Sequence, residues 1–301
     1  MLATRTRMNV RAHLARCIVM ALLLLAARAQ AQDYPLPDPA AFLPEAKKRL
    51  QTDQTLQSSY SFVETRRERK LDGRGRETSE SVKVFENYPG LPGEPRWERL
   101  ISEDGRAVPD EELAKQDRER RQKAEEYARR LSAQPDKERA RQNREWDKDR
   151  REVAKTVDDI FRVYDVRMVG REAIDGHSTI RFSLVPRPDA RPETSEGRAM
   201  RHFMGTAWVS ESDYELVRLS VEAIDTVGFG LGVLARLHKG ARLTFERRKV
   251  NGEVWLPAKA SYGFNARVAL VKMLRRDATL EFSNYRKFTV DTSSSFVTPA
   301  Q

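Results

Sequence analysis

The chain has 301 residues, with 55 basic and 45 acidic side chains, a formal net charge of +10 and a sequence pI near 9.8. Because its single cysteine, Cys17, lies in the N-terminal leader described next, the rest of the chain excludes disulfides, a thiol nucleophile and a cysteine metal site. Half of the excess charge lies in that leader and the remainder is interspersed with acids, which argues against a nucleic-acid partner.

Residues 1–31 have the pattern of a secretory signal peptide. Four arginines precede an apolar run from Cys17 to Ala27, and the stretch ARAQA predicts cleavage after Ala31. The run is shorter than the roughly 20 residues that span a bilayer, which disfavours the alternative of a permanent membrane anchor. Removal of the five arginines of the leader lowers the net charge from +10 to +5. We therefore expect an exported, periplasmic protein.

The first segments after the leader are predicted to be an arm, a helix and a strand. Residues 32–44 contain four prolines and predict an extended arm. A short helix is expected from about Glu45 to Gln57, and the alternation that includes Tyr60 and Phe62 then begins a strand.

Four dipeptides predict tight turns between strands: Asp72-Gly73, Asp104-Gly105, Asp175-Gly176 and Asn251-Gly252. A type I′ hairpin turn needs positive φ at both central residues, which Asp-Gly and Asn-Gly tolerate. Each pair lies between segments with β-branched or aromatic residues, so the four turns predict an antiparallel meander.

A charged segment from 110 to 152 separates the two halves of the predicted sheet. It contains 27 charged residues, 14 basic and 13 acidic, and predicts a solvated helical hairpin broken near Pro135. We favour a salt-bridged spacer, and a docking arm for a partner is the alternative. Helix is expected to resume near Arg151, with apolar residues at helical spacing that can pack on the sheet.

Alternation of apolar and polar residues is clearest in the second half of the chain, where each predicted strand has one apolar face and one polar face. The apolar positions singled out are Tyr164, Val166, Met168, Ile180, Phe182, Leu184, Leu243, Phe245, Val254, Leu256, Tyr262, Phe264, Leu280 and Phe282. Either covering helices fill this continuous apolar surface as an ordinary core, or it lines a cavity for a ligand.

The order of these strands resembles the LolA-like superfamily of periplasmic proteins. The resemblance rests on an X-Asp-Gly turn between strands, a Gly-x-x-Trp strand at 205–208 and a Trp-Leu-Pro strand at 255–257, and it covers roughly 50–105 and 155–290. The charged segment 110–152 departs from the compact carriers of that group. The resemblance implies a single domain over 32–291, α+β and mainly antiparallel β, folded as a half-open, unclosed β-barrel with covering helices, and a flexible tail over 292–301.

The resemblance also implies a function. The apolar positions given above would line a cavity that shelters the acyl chains of a lipid or lipoprotein, without an enzymatic activity or a cofactor. Burial of a CH₂ group contributes about 0.8 kcal/mol, so a 16-carbon chain would gain on the order of 10 kcal/mol before entropy costs. The alternative is an envelope sensor or scaffold of the same fold that binds a protein partner. In both cases we expect a monomer.

The stretch from Thr226 to Gly240 combines three glycines with apolar and basic residues. It predicts a mobile lid or a lip that makes transient membrane contact, and a short helix plugged into the barrel end is the alternative. The candidate contact residues are Phe229, Leu231, Val233, Leu234 and Leu237.

Signatures of catalysis are missing from the sequence. His177, His202 and His238 lack neighbours at metal-ligand spacing, so we expect no metal site. The chain also lacks a Gly-x-Ser-x-Gly motif, and the Gly-x-Gly-x-Gly spacing near residue 230 has no βαβ context for a dinucleotide.

Overall fold

The structure, a computed structural model, describes residues 34–52, 59–90, 96–133, 135–229, 235–268 and 272–287. The helices are α1 (Pro39–Thr52), α2 (Asp110–Ala133), α3 (Asp136–Val163) and α4 (Ser195–Met200). The strands are β1 (Tyr60–Leu71), β2 (Glu77–Tyr88), β3 (Trp97–Glu103), β4 (Arg106–Ala107), β5 (Tyr164–Ile174), β6 (His177–Pro186), β7 (Phe203–Ser210), β8 (Leu216–Ala223), β9 (Val227–Phe229), β10 (Ala235–Leu237), β11 (Arg242–Val250), β12 (Val254–Val268) and β13 (Lys272–Lys287). The expected signal peptide and the expected C-terminal tail lie outside the described residues.

All 13 of these strands belong to one antiparallel sheet. Its main path runs β4-β3-β2-β1-β13-β12-β11-β8-β7-β6-β5, and the short β9–β10 hairpin pairs with β12 beside that path. The two ends of the path do not pair with each other, so the sheet is an unclosed barrel. The predicted fold class, a half-open antiparallel β-barrel with helices, is confirmed.

Three of the four predicted turns have the expected backbone. Asp104-Gly105, Asp175-Gly176 and Asn251-Gly252 each have positive φ at both residues, between 48° and 79°. The prediction at Asp72-Gly73 is wrong: the positive φ, 80°, falls on Gly75. There the Asp72 carboxylate accepts the backbone N–H groups of Arg74 and Arg76 at 2.8 and 2.9 Å, which stabilises a three-residue loop.

Two helix predictions also need correction. The expected arm over 32–44 is helical from Pro39, because Asp38 accepts the Ala40 N–H at 3.0 Å as an N-cap and proline suits the first helical position. The second helix of the charged hairpin is expected to end near residue 152, with a new helix resuming near Arg151, but the two are one continuous helix. Helix α3 continues from Asp136 to Val163 and delivers the chain directly into β5.

The sheet has an inner face and an outer face, which alternation and register define. Register places Phe182, Ala207, Leu219 and Phe245 side by side on one face across β6, β7, β8 and β11. Helix α1 packs on this inner face. The residues between them, such as Arg181, Trp208 and Arg218, lie on the outer face, which is polar over most strands.

The core lies between the inner face of β5–β8 and the helices α1 and α3. The Phe42 ring of α1 lies 5.8 Å from the Phe182 ring and 5.0 Å from the Tyr214 ring. Val163, at the end of α3, is fully buried in the same cluster. These contacts make this part of the sheet a packed core. Burial of each large apolar side chain in it contributes about 1.5–3 kcal/mol to the free energy of folding.

Helix α2 covers the edge of the sheet at β3. The Leu100 N–H donates to Gln116 Oε1 at 2.9 Å, and Gln116 Nε2 donates to the Leu100 carbonyl at 3.1 Å. Asp117 adds an ion pair to Arg99 at 3.0 Å. An unpaired edge strand is a template for aggregation, and Gln116 satisfies backbone groups on that edge. The first helix of the charged segment is therefore attached to the sheet. A segment that only spaced the two halves of the sheet would not need these contacts.

We expect Gln116→Ala to lower the free energy of unfolding by about 1 kcal/mol, because two backbone hydrogen bonds of β3 are lost to a side chain. Urea denaturation followed by circular dichroism measures this. Lys115→Ala is the matched control, since the exposed Lys115 makes only a 3.6 Å ion pair to Glu112. Equal stability of the two variants would contradict a capping role for Gln116.

Candidate functional site

The inner face stays apolar beyond the packed core, on β11, β12, β13 and β1. We call this surface the apolar band; its residues are Leu243, Phe245, Tyr262, Phe264, Leu280, Phe282 and Phe62. Leu243 is 39% exposed and the other six are half-buried. Among the described residues, none of the buried apolar clusters joins a helix to these strands. The band is thus an apolar surface that the described helices leave uncovered.

Aromatic contacts organise the band. The Phe62 ring lies 5.6 Å from the Phe282 ring and 5.4 Å from the Tyr285 ring, and the Tyr262 and Phe264 rings are nearly parallel at 6.1 Å. Tyr285 joins this side of the sheet because the register of β13 shifts beside it, where Asn284 has a φ of 53°. These contacts join Phe62, Phe282 and Tyr285 into one aromatic group and place the Tyr262 and Phe264 rings beside each other.

One end of the band is closed by a small buried cluster of Tyr60, Val254 and Leu256, with Tyr285 packed against it. The Tyr60 hydroxyl donates to the Glu253 carboxylate, and the Tyr285 hydroxyl donates to the Pro257 carbonyl. Burial raises the pKa of both phenols, so they stay neutral. Val254 and Leu256, two of the even positions of β12 predicted to share a face, pack in the same cluster. Trp255, between them, packs in a different cluster with Ile174 and Val217.

Charged groups also lie on the inner face, next to the band. Glu64 is only 5% exposed and pairs with Arg66 at 2.7 Å, and the Arg66 guanidinium lies 4.7 Å from the Phe85 ring centre. The Arg96 guanidinium lies 4.7 Å from the Phe62 ring centre and donates to the Tyr60 carbonyl. The inner face is therefore apolar along the band and carries charged side chains of both signs at its margin, where the two arginines lie against aromatic rings.

The outer face has the opposite character. Ion pairs cross it between neighbouring strands, as between Lys259 and Glu281 at 3.0 Å and between Arg242 and Glu222 at 3.0 Å. A cavity of about 320 Å³ on this side has a mainly polar lining: Arg67, Arg69, Lys259, Ala278, Thr279 and Glu281. These residues do not form an apolar strip comparable to the band, so this cavity does not suit an acyl chain.

The predicted cavity residues divide into three groups. Tyr164, Val166, Met168, Ile180, Phe182 and Leu184 belong to the core that α1 and α3 cover. The Tyr164 hydroxyl donates to the Met200 carbonyl at 3.0 Å, and burial raises its pKa to about 12. Val254 and Leu256 close the end of the band, and the remaining six lie in it. A role of any of them in binding a ligand stays a prediction.

The predicted lid contains two short strands, followed by a turn at 239–240, where the structure describes it. Val227–Phe229 pairs with Ala235–Leu237, and Leu237 of this hairpin lies opposite Ala266 of β12. The hairpin thus extends the sheet, and neither a plugged helix nor an irregular loop forms in these residues. Leu231, Val233 and Leu234 lie outside the described residues, and the predicted membrane contact stays a prediction.

Sequence reasoning missed Phe62, Phe85, Arg66 and Arg96 as inner-face residues. Phe62 was recognisable from the alternation that begins β1. The other three were not, because their position follows from the pairing of β1 with both β2 and β13, which the local pattern does not encode.

No group of three or more metal-ligating side chains occurs among the described residues. No helix in the described ranges is both long enough and apolar enough to span a bilayer.

No family model and no curated protein matches this chain. Among solved structures, it is similar to a LolA superfamily protein from Nitrosomonas europaea, at 11% identity and a TM-score of 0.31 over 84% of this chain and 94% of that one. A DUF1329 family protein from Desulfovibrio piger matches at 13% identity and a TM-score of 0.29, over 86% and 96%. The MucA/MucB complex of Pseudomonas aeruginosa matches at 8% and 0.23, over 84% and 100%. The first of these structures belongs to the superfamily that the strand order of the sequence resembles.

Proposed function

We propose that this chain is a periplasmic protein that binds a lipid or the acylated end of a lipoprotein and shelters acyl chains along the apolar band. The observation that supports this proposal is the contrast between the two faces of β11–β13. The inner side presents Phe245, Tyr262 and Leu280 without a covering helix among the described residues, while the outer side is crossed by ion pairs.

A partly exposed apolar strip of this kind becomes more favourable when a ligand covers it. Soluble proteins seldom expose a contiguous apolar patch of more than a few hundred Å² without using it for binding. The strip needs no polar specificity group to hold a chain, since burial of each CH₂ contributes about 0.8 kcal/mol. Non-covalent binding without a cofactor accounts for the arrangement.

Lipid extraction of the protein purified from a bacterial periplasm tests the proposal. We expect native mass spectrometry to detect a bound species that organic solvent removes and that thin-layer chromatography identifies as acylated. Protein refolded from denaturant serves as the lipid-free control. A protein that carries no lipid from the periplasm, and that binds none when refolded with total bacterial lipid, would contradict the proposal.

A scaffold that binds a protein partner is the second candidate, and one side chain favours it. Trp146 is 41% exposed on α3, in the most highly charged part of the chain. Exposed tryptophan is enriched in protein interfaces. A photoreactive phenylalanine analogue at position 146 should then give one discrete protein adduct in the periplasm, and absence of an adduct would contradict this second candidate.

A further inference from the structure

Two arginines on the inner face lack an acidic partner at the closed end of the band. The Arg96 guanidinium lies against Phe62, and its one hydrogen bond among the described residues goes to the Tyr60 carbonyl. Its Nε is buried without a hydrogen-bond partner there. Arg248 lies opposite Leu256 in the register of β11 and β12. Within the described ranges, no carboxylate comes within ion-pair distance of either arginine.

The surroundings do not compensate these charges. Glu64 is occupied by Arg66 at 2.7 Å, and Glu253 by Lys287 at 2.9 Å and by the Tyr60 hydroxyl. Both arginines lie beside the same small cluster, because Arg248 is opposite Leu256, which packs with Tyr60 and Tyr285, and Arg96 donates to the Tyr60 carbonyl. Arg96 is half-buried, and a cation without a counterion is costly in an apolar setting, where burial also lowers the pKa of Arg96. Arg248 is exposed, so its charge is hydrated and free to meet a ligand. An anion in this place would remove that cost.

We propose that the ligand is an amphiphile with an anionic head group, a carboxylate or a phosphate, which Arg96 and Arg248 bind while its acyl chain lies along the apolar band. This inference rests on the proposed function and adds the chemical class of the ligand. A guanidinium suits the role because its planar donors match the oxygen atoms of carboxylates and phosphates in paired hydrogen bonds. Phe62 marks where head group and chain meet, since its ring lies 4.7 Å from the Arg96 guanidinium and 5.6 Å from the Phe282 ring.

Titrations with three single-chain probes test the inference: palmitate, 1-palmitoyl lysophosphatidylglycerol and neutral 1-palmitoylglycerol, each below its micellar concentration. We expect the wild-type chain to bind an anionic probe about tenfold more tightly than the neutral one. The better anionic probe identifies the head group as carboxylate or phosphate. The preference should also weaken with added salt, as a partly exposed ion pair does.

The double variant Arg96→Gln/Arg248→Gln should lose the preference and keep its affinity for 1-palmitoylglycerol. Arg69→Gln is the matched control, since it removes one charge from the outer face, where Arg69 pairs with Asp277 at 3.5 Å. If the double variant fails to fold, Arg248→Gln alone must reduce the preference, because Arg248 is exposed and not needed for packing.

The outcomes separate the two claims. If 1-palmitoylglycerol binds and the anionic probes bind no better, the inference about the head group is wrong while the proposed function stands. If the preference survives in the double variant, these arginines are not its source and the inference is also wrong. If none of the three probes binds, the proposed function fails and the inference fails with it.

Discussion

Asp159→Ala should lower the free energy of unfolding by about 3 kcal/mol, because it leaves several buried donors without an acceptor. The Asp159 side chain is completely buried on α3. Its carboxylate accepts the backbone N–H groups of Glu193 and Thr194 at 3.0 and 2.8 Å and the Thr194 hydroxyl at 2.7 Å. It therefore fixes the loop that leads into α4 against α3. The space is tight, since a Cβ on Gly197 would lie 2.3 Å from the carboxylate.

Its neighbour provides the matched control. Asp158 is 45% exposed and makes a surface ion pair with Lys47 at 2.6 Å, which contributes at most about 1 kcal/mol. Guanidinium denaturation of both alanine variants measures the difference. If Asp158→Ala destabilises the protein as much as Asp159→Ala does, the anchoring role of Asp159 is contradicted.

The same carboxylate predicts a dependence on pH. Burial alone would raise the pKa of Asp159, but the hydrogen bonds from Thr194, Glu193 and Arg162 lower it below its usual value. A lowered pKa means that the stabilisation is fully present above the pKa of the unfolded chain, about 3.9, and is lost as the pH falls through the folded value. The difference in stability between wild type and Asp159→Ala should therefore be constant near neutrality and shrink below about pH 4. A difference that grew towards acidic pH would have the wrong sign.

Leu243→Asp should weaken the binding of 1-palmitoylglycerol at least about tenfold and leave the protein folded. Leu243 is already 39% exposed in the apolar band, opposite Tyr262, so a carboxylate there stays hydrated in the free protein. When a chain covers the band, that carboxylate loses water without gaining a partner. The neutral probe is chosen because palmitate would add repulsion between charges.

Met204→Asp is the control for this variant. Met204 is 45% exposed on β7. It lies three positions before the inner-face residue Ala207, so the alternation of the strand places it on the outer face. Both variants add one negative charge to an exposed apolar strand position. Fluorescence titration should show the loss only for Leu243→Asp, and equal affinity of the two variants would contradict binding at the band.

Local rules in the sequence predicted most strands of the second half of the sheet. Tyr164, Ile180 and Phe182 alternate with polar residues, and three Asp-Gly or Asn-Gly pairs turn the chain as expected. Such periodicity and turn chemistry act within a few residues, so they can be read without knowledge of the fold. The turn predicted at Asp72-Gly73 shows the limit of such rules, because Gly75, two positions after Gly73, is an equally permissive residue.

The division of the inner face into a covered core and an open band could not be predicted in this way. Phe182 and Phe245 look alike in sequence, and only the position of α1 makes one a core residue. The four prolines of 32–44 predict an extended chain, whereas Asp38-Pro39 within them is a helix-start signal that begins α1. The inner-face position of Arg96 depends on pairings between residues far apart in the chain.

Covalent mapping with a palmitate analogue that carries a photoreactive diazirine in mid-chain tests the central claim most directly. After irradiation and proteolysis, we predict adducts on inner-face positions of β11, β12, β13 and β1, with Tyr262 and Leu280 among them. Competition with unlabelled palmitate should remove these adducts. Adducts restricted to the outer face or to α2 and α3, or a complete lack of adducts that palmitate can displace, would contradict the account.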